Sequence, residues 1–183
     1  MTGAGARGSS AGSRPLRTAL FGDLCWRRPG LFSRELVLEA GSERLAVLRW
    51  DRWFSFEAVA ESADGRWILG RRRGASILGD HVARDAASGA EVAWLKRGWR
   101  GTGTVRFPSG ADYRWAREGF WRPRYAWVGE GRKPLITFRS LFAFGRGSEM
   151  TVDPAARALA ELPLLVLLGG YTMAMISAQR SAS

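Results

Sequence analysis

Residues 162–178 read LPLLVLLGGYTMAMISA, seventeen positions without a charged side chain. They follow a long stretch, residues 34–152, in which apolar and charged side chains alternate at short spacing. The chain therefore has one strongly hydrophobic segment to place. Such a segment either spans a membrane or fills the interior of a β-structure, so its placement decides the class of protein.

Residues 34–152 are divided into short segments by turn dipeptides such as Asp64-Gly65, Ser88-Gly89 and Ser109-Gly110. These pairs are typical of tight turns, because Gly adopts the positive φ that such turns require. The predicted strands are residues 35–39, 44–50, 53–60, 66–72, 81–86, 91–96, 102–107, 112–117, 125–128, 135–139, 141–144 and 149–152. No helical pattern interrupts them, and short strands at intervals of about ten residues are typical of antiparallel sandwiches and barrels.

A helix is predicted after the strands. Asp153 and Pro154 are a favourable N-cap and first helical residue, and Pro163 predicts a second helix start that runs to residue 178. Gly170, Ala174 and Ala178 form a row of small residues that predicts a close packing partner.

The predicted helix is apolar on all sides, which favours burial in a protein core. Its seventeen residues span about 25 Å, short of the roughly 30 Å hydrocarbon core of a bilayer. We therefore predict a mainly β fold, a closed antiparallel β-barrel of about 11 to 12 strands around a hydrophobic C-terminal helix. Trp67, Trp94 and Trp115 are predicted to line its core. The alternative is a tail-anchored protein with a cytoplasmic β-domain.

At 183 residues the chain is predicted to form one domain. Residues 1–14 are rich in Gly, Ala and Ser and are predicted to be a disordered tail, which leaves residues 15–180 as a single barrel domain. The tail has no apolar stretch of signal-peptide length, so a cytoplasmic location is predicted, with membrane association left open.

The strand spacing, together with PLLVLLGGYTMAMI at residues 163–176, resembles the superfamily of tubby C-terminal domains, LURP-one-related proteins and phospholipid scramblases. The resemblance implies an antiparallel barrel around a hydrophobic helix. Members are associated with phosphoinositide binding or with lipid transfer between leaflets. No phosphoinositide-contact residue of tubby matches a position in this chain, and no acidic segment resembles the calcium-binding segment of scramblases. The resemblance thus implies a fold rather than an activity.

Catalytic signatures are missing from the sequence. Cys25 is the only cysteine and His81 the only histidine, so neither a disulfide framework nor a multi-cysteine zinc site is expected. Gly3, Gly5 and Gly8 have the spacing of a dinucleotide loop, but no strand precedes them. We therefore predict no enzyme activity, no cofactor and no metal, and we interpret His81 as a structural residue at a strand end.

The chain is strongly basic, with 28 basic and 17 acidic residues and a formal charge of +11. The candidate residues for binding an anionic surface are Arg71, Arg72, Arg73, Arg97, Arg100, Arg122 and Arg124, interleaved with aromatic side chains. Arginine and aromatic residues suit a phospholipid headgroup surface, and also single-stranded nucleic acid. The third interpretation is solvated arginine stems that cover the barrel wall. The sequence favours a binding or scaffold module at an anionic phospholipid membrane, with nucleic acid as the less favoured partner.

Overall fold

The computed structural model describes residues 12–30, 33–52, 55–72, 80–98, 102–119, 124–140 and 147–181. The twelve strands within these ranges are β1 (Leu24–Arg27), β2 (Glu35–Ala40), β3 (Glu43–Arg49), β4 (Ala58–Ser62), β5 (Gly65–Arg71), β6 (His81–Asp85), β7 (Glu91–Arg97), β8 (Gly103–Arg106), β9 (Asp112–Glu118), β10 (Arg124–Val128), β11 (Pro134–Ser140) and β12 (Gly147–Val152). The helices are α1 (Leu16–Ala19), a 3-10 helix (Pro154–Ala158) and α2 (Leu162–Ser181).

The strands form a closed antiparallel barrel. Each strand pairs with its neighbours in sequence, and β1 pairs with both β2 and β12. Closure gives every strand two hydrogen-bonded neighbours, so no edge is left to pair with another chain. The predicted β-barrel of about twelve strands is confirmed.

The meander gives the barrel two different ends. At one end, which we call the turn rim, the hairpin connections are residues 41–42, 63–64, 86–90, 107–111 and 129–133. At the other end, which we call the loop rim, the connections are residues 28–34, 50–57, 72–80, 98–102, 119–123 and 141–146. The helix α1 belongs to the turn rim, where the backbone N–H of Leu16 donates to Asp64 Oδ2 at 2.8 Å. Helix α2 begins at the turn rim and ends at the loop rim.

Helix α2 fills the barrel, as the sequence predicts. Leu165, Val166, Leu167 and Leu168, which together go once around the helix, are each at most 1% exposed. The segment 162–179 is long and apolar enough to cross a membrane, but 78% of it is buried inside the protein. Burial on all sides therefore explains its composition.

The helix approaches the wall most closely at two glycines. A Cβ atom on Gly169 would lie 2.6 Å from Phe138 Cε2, and one on Gly170 would lie 2.6 Å from Trp26 Cε2. The close partner that the small-residue row predicts is thus Trp26 at Gly170. The wall also bonds to the helix, since Trp127 Nε1 donates to the carbonyl oxygen of Leu165 at 2.8 Å.

Several local predictions differ from the structure. Strand β1 was not predicted, the predicted strand 53–60 is β4 at Ala58–Ser62, and the predicted strand 141–144 lies outside the described residues. The predicted start at Asp153 is confirmed, because Asp153 Oδ1 accepts from the backbone N–H of Ala155 at 2.9 Å, but the element is a 3-10 helix.

The tryptophan prediction is correct for two residues. Trp115 is buried in the core and Trp67 packs against it, but Trp94 lies on the outer side of β7, between the inward Ala93 and Leu95. Its indole N–H donates to Glu91 there, at 2.7 Å. In the predicted tail, residues 12–14 are described, and Arg14 forms an ion pair with Glu43.

Candidate anionic-surface site at the loop rim

Charged residues are divided unequally between the two rims. Each rim is taken here as its connections together with the strand residues directly next to them. The described basic residues of the loop rim, which we call the basic rim, are Arg27, Arg28, Arg34, Arg49, Arg52, Arg71, Arg72, Arg97 and Arg124. The acidic ones there are Glu35, Asp51, Glu57, Asp80 and Glu118.

The turn rim has the opposite balance. With the flanking segments 12–24 and 152–162, its described basic residues are Arg14, Arg17, Arg106, Arg132, Lys133 and Arg157. Its acidic residues are Asp23, Glu43, Asp64, Asp85, Glu91, Asp112, Glu130, Asp153 and Glu161. The loop rim is therefore net positive and the turn rim net negative, so the barrel is polarised along its axis.

Aromatic residues follow the same division in the sequence. The six connections of the loop rim contain Phe32, Trp50, Trp53, Phe54, Phe56, Trp99, Phe120, Trp121, Phe142 and Phe144. The five hairpin connections of the turn rim contain Phe107 alone, and its flanking segment 12–24 adds Phe21. Of the loop-rim set, only Trp50 and Phe56 fall within the described residues. Phe56 is 42% exposed, and the Arg71 guanidinium lies 4.6 Å above its ring.

The structure brings four of the seven predicted site residues to this one rim. Arg71, Arg72, Arg97 and Arg124 all lie at strand ends of the loop rim. The remaining three, Arg73, Arg100 and Arg122, lie outside the described residues.

The four arginines fall on two sides of the sheet. Arg71 shares the inward side of β5 with Leu69, and Arg97 shares the inward side of β7 with Leu95, whereas Arg124 is on the outward side of β10. Arg72 lies just beyond β5, and its Nε is 4.0 Å from a Glu91 carboxylate oxygen. Arg71 and Arg97 are thus at the barrel mouth.

Beneath these two arginines lies a buried hydrogen-bonded pair. His81 stands directly opposite Arg71 in the β5–β6 ladder and is 3% exposed, and its Nδ1 is 2.9 Å from the hydroxyl of Tyr171 on α2. Tyr171 donates its hydroxyl proton to the backbone carbonyl of Phe56. His81 Nδ1 must therefore carry a proton and donate it to the Tyr171 oxygen. We call Arg71, His81, Arg97, Tyr171 and Gln179 the mouth cluster, in which Arg97 Nη2 donates to Gln179 Oε1 at 3.1 Å.

The electrostatics of the mouth cluster keep its buried members neutral. Burial, followed by the charges of Arg97 and Arg71, lowers the pKa of His81 to about 4. Burial also raises the pKa of Tyr171, an effect that the two arginines oppose and Glu57 reinforces. The pKa of Arg97 is lowered by burial, while Tyr171 raises it and Arg71 lowers it. At neutral pH the positive charge of the cluster is therefore carried by two neighbouring guanidinium groups.

Several arginines pair with a carboxylate on the next strand. In the basic rim, Arg49 Nε lies 2.8 Å from Glu35 Oε1; on the wall, Arg66 Nε lies 3.0 Å from Glu61 Oε1 and Arg139 pairs with Glu149. Exposed pairs of this kind contribute about 0 to 1 kcal/mol each. The guanidinium groups of these residues are therefore ion-paired rather than simply solvated. Within the described ranges, no three His, Cys, Asp or Glu side chains are grouped so that they could hold a metal ion.

The strand-end position predicted for His81 is confirmed, and its environment predicts a pH dependence. The unfolded chain binds a proton at His81 near pH 6.5, whereas the folded protein does so only near pH 4. The part of the folding stability that depends on a neutral His81 is therefore fully present above the pKa of His81 in the unfolded chain. It is lost as the pH falls from about 6.5 to about 4, by up to about 3 kcal/mol.

A His81→Gln variant is expected to lose about 0.5 to 3 kcal/mol at pH 7 and to lose less further stability than the wild type between pH 7 and pH 4.5. Denaturant unfolding at a series of pH values measures both quantities. Parallel pH profiles for the two proteins would show that His81 binds protons equally in the folded and unfolded states.

Comparisons with known proteins add no relative, because no family model, curated protein or solved structure matches this chain. The resemblance to the tubby and scramblase superfamily stays a prediction. The fold class rests on the closed strand pairing and on the burial of α2.

Proposed function

We propose that this protein is a non-enzymatic binding or scaffold module that docks on an anionic phospholipid surface with its loop rim. The observation that carries the proposal is the polarity of the barrel: arginine and aromatic residues concentrate in the connections of one rim, and acidic residues are in excess at the other. The burial of α2 supports a module that binds by its surface rather than a tail-anchored protein.

The attraction of the loop rim to a membrane is the sum of contributions from single residues. Each basic residue close to an anionic leaflet contributes about 1 kcal/mol of attraction. The exposed ring of Phe56 at the same rim suits the headgroup boundary, where a ring has both apolar and polar contacts. The acidic turn rim is repelled by the same surface. The axial charge separation therefore favours one orientation, with the barrel axis upright on the membrane and α2 ending toward it.

The shape of the basic rim supports a flat partner. Its members lie at the ends of strands from β1 to β10 and so surround much of the barrel mouth. Single-stranded nucleic acid is bound instead along a basic groove that follows the backbone. A ring of arginines around a barrel end contacts a plane at several points simultaneously.

The triple variant Arg52→Gln, Arg72→Gln and Arg124→Gln tests the proposal. We expect its affinity for vesicles containing phosphatidylserine to fall about 100-fold, because about 1 kcal/mol is lost per charge. Binding by the wild type should also weaken as salt is raised, since the Debye length is about 8 Å at physiological ionic strength. Vesicle co-sedimentation or surface plasmon resonance measures both effects.

The matched control is Arg106→Gln, Arg132→Gln and Lys133→Gln at the turn rim, which removes the same formal charge. We expect this control to change vesicle affinity less than about threefold, because charges farther than a Debye length are screened. Equal losses in the two triple variants would mean that net charge acts without a docking face. Tighter binding to single-stranded DNA than to vesicles at matched salt would replace phospholipid with nucleic acid.

A further inference from the structure

We infer that the barrel mouth contains a specific seat for one phosphate group, held between Arg71 and Arg97. The inference rests on the proposed docking of the loop rim and deepens it, because it names the headgroup chemistry that the mouth selects. The basic rim as a whole attracts any anionic surface, whereas the two inward arginines recognise a phosphate monoester.

Arg71 ends β5 and Arg97 ends β7, on the two sides of β6, which begins with His81. Arg71 is level with His81 and Leu95 across the sheet, and Arg97 lies two residues beyond Leu95. With strands about 4.8 Å apart and a rise of about 3.3 Å per residue, the two arginine backbones are therefore about 12 Å apart. Both side chains are on the inward side of the sheet, above the buried His81 and Tyr171. Arginine side chains are long enough to bring two guanidinium groups together over such a distance, and the charge of Arg71 does act on Arg97.

Both guanidinium groups are held in position by neighbouring side chains. The Arg71 guanidinium is held above the Phe56 ring at 4.6 Å, and Arg97 is held by Gln179 near the end of α2 at 3.1 Å. A guanidinium that is already oriented loses less entropy when it forms paired hydrogen bonds with a phosphate. Its planar fork matches two phosphate oxygens.

The positive charges of Arg71 and Arg97 lie close enough to affect each other. Arg71 lowers the pKa of Arg97, which means that the two positive charges act on each other. His81 and Tyr171 are neutral at pH 7, and Glu57 is the carboxylate that acts on Tyr171 from this rim. The charges of Arg71 and Arg97 act on the same two buried groups, so an anion between the guanidinium groups is stabilised by both charges. A phosphate monoester carries about 1.5 to 2 negative charges and three terminal oxygens, so it fits two guanidiniums better than a phosphodiester does.

The experiment uses the full chain and two probes. Vesicles containing phosphatidic acid, which has a phosphate monoester headgroup, are compared with phosphatidylserine vesicles at equal surface charge, and inorganic phosphate is titrated separately. We expect at least about tenfold tighter binding to phosphatidic acid, as two charge-assisted arginine contacts permit. The double variant Arg71→Gln and Arg97→Gln should abolish this preference, and the triple variant of the outer basic rim should weaken binding to both lipids equally.

His81 supplies an independent readout, because it is the only histidine and gives a single set of ring resonances. An anion between Arg71 and Arg97 offsets the two charges that disfavour protonation of the ring. Saturating inorganic phosphate is therefore expected to raise the pKa of His81 in the wild type by about one unit. The double variant should show no such rise. If that variant does not fold, Arg71→Lys and Arg97→Lys keeps the charges, removes the forked donors and should reduce the lipid preference.

The outcomes separate the two proposals. Vesicle binding that depends on the outer arginines but is equal for both lipids, with no shift of the His81 pKa, overturns the phosphate seat alone. A phosphate-dependent shift of that pKa without vesicle binding overturns membrane docking and keeps a seat for soluble phosphates. If the double variant loses stability but keeps the tenfold preference, Arg71 and Arg97 only stabilise the end of α2, and the inference is wrong.

Discussion

Replacing Leu165 by Asp is expected to unfold the whole barrel. Leu165 is fully buried in the first turn of α2, and its carbonyl oxygen accepts the bond from Trp127 Nε1. An unpaired carboxylate there costs several kcal/mol, whether it stays charged or takes up a proton. The total stability of a domain is about 5 to 15 kcal/mol. Circular dichroism and a denaturant titration should show that the cooperative transition of the wild type is lost.

The matched control is Ala178→Asp, at an exposed position in the last turn of the same helix. It introduces the same charge and should cost less than about 1 kcal/mol, most of it through the helix dipole. Removal of residues 162–183 gives a stronger test of the same idea. A truncated protein that stayed soluble and unfolded cooperatively would show that the strands do not need α2 as their core.

Replacing Gly169 by Leu is expected to destabilise the protein by about 3 kcal/mol or more, because the side chain has no space. A Cβ at this position would already lie 2.6 and 2.8 Å from the Cε2 and Cε1 atoms of Phe138, which is itself fully buried. Leu favours a helix by about 1 kcal/mol relative to Gly, which offsets only part of the cost. Thermal and denaturant unfolding measure the change.

Gly30→Leu serves as the control for this substitution. Nothing lies within 4 Å of a Cβ at Gly30, so its replacement should change the free energy of unfolding by no more than about 0.5 kcal/mol. If Gly169→Leu were as stable as Gly30→Leu, the helix would have room to move away from Phe138. That result would contradict the tight seating of α2 against the wall.

The fold was predictable because two signals agree. The hydrophobic segment has no polar face, and the preceding segments have strand spacing, so a barrel lumen accounts for both. The burial of α2 then decides against the tail anchor that the sequence also allows. Strand β1 was missed because LCWR is only four residues long and lies before the alternating stretch that begins at residue 34. The expected number of strands is nevertheless close to the observed twelve, although the predicted set contains the segment 141–144, which lies outside the described residues.

The candidate site was predictable in composition and not in arrangement. The arginines were chosen by their density in the sequence, but the separation of Arg71 and Arg97 from Arg124 depends on which side of the pleat each one occupies. The contact between Tyr171 and His81 could not be predicted, because it depends on how α2 is rotated in the lumen. The sequence did contain one signal for this arrangement. In a meander, every second connection lies at the same end of the barrel, and the connections rich in arginine and aromatic residues are every second ones.

The order of elements along the chain has a consequence for biosynthesis. Helix α2 follows all twelve strands, so during translation every strand emerges before the segment that fills the barrel. At about 5 to 20 residues per second, the inward faces of the first strands wait on the order of ten seconds for their packing partner. Hairpins with unpaired apolar faces are prone to aggregate in that interval. Nascent chains of this protein should therefore depend on chaperones until α2 has left the ribosome.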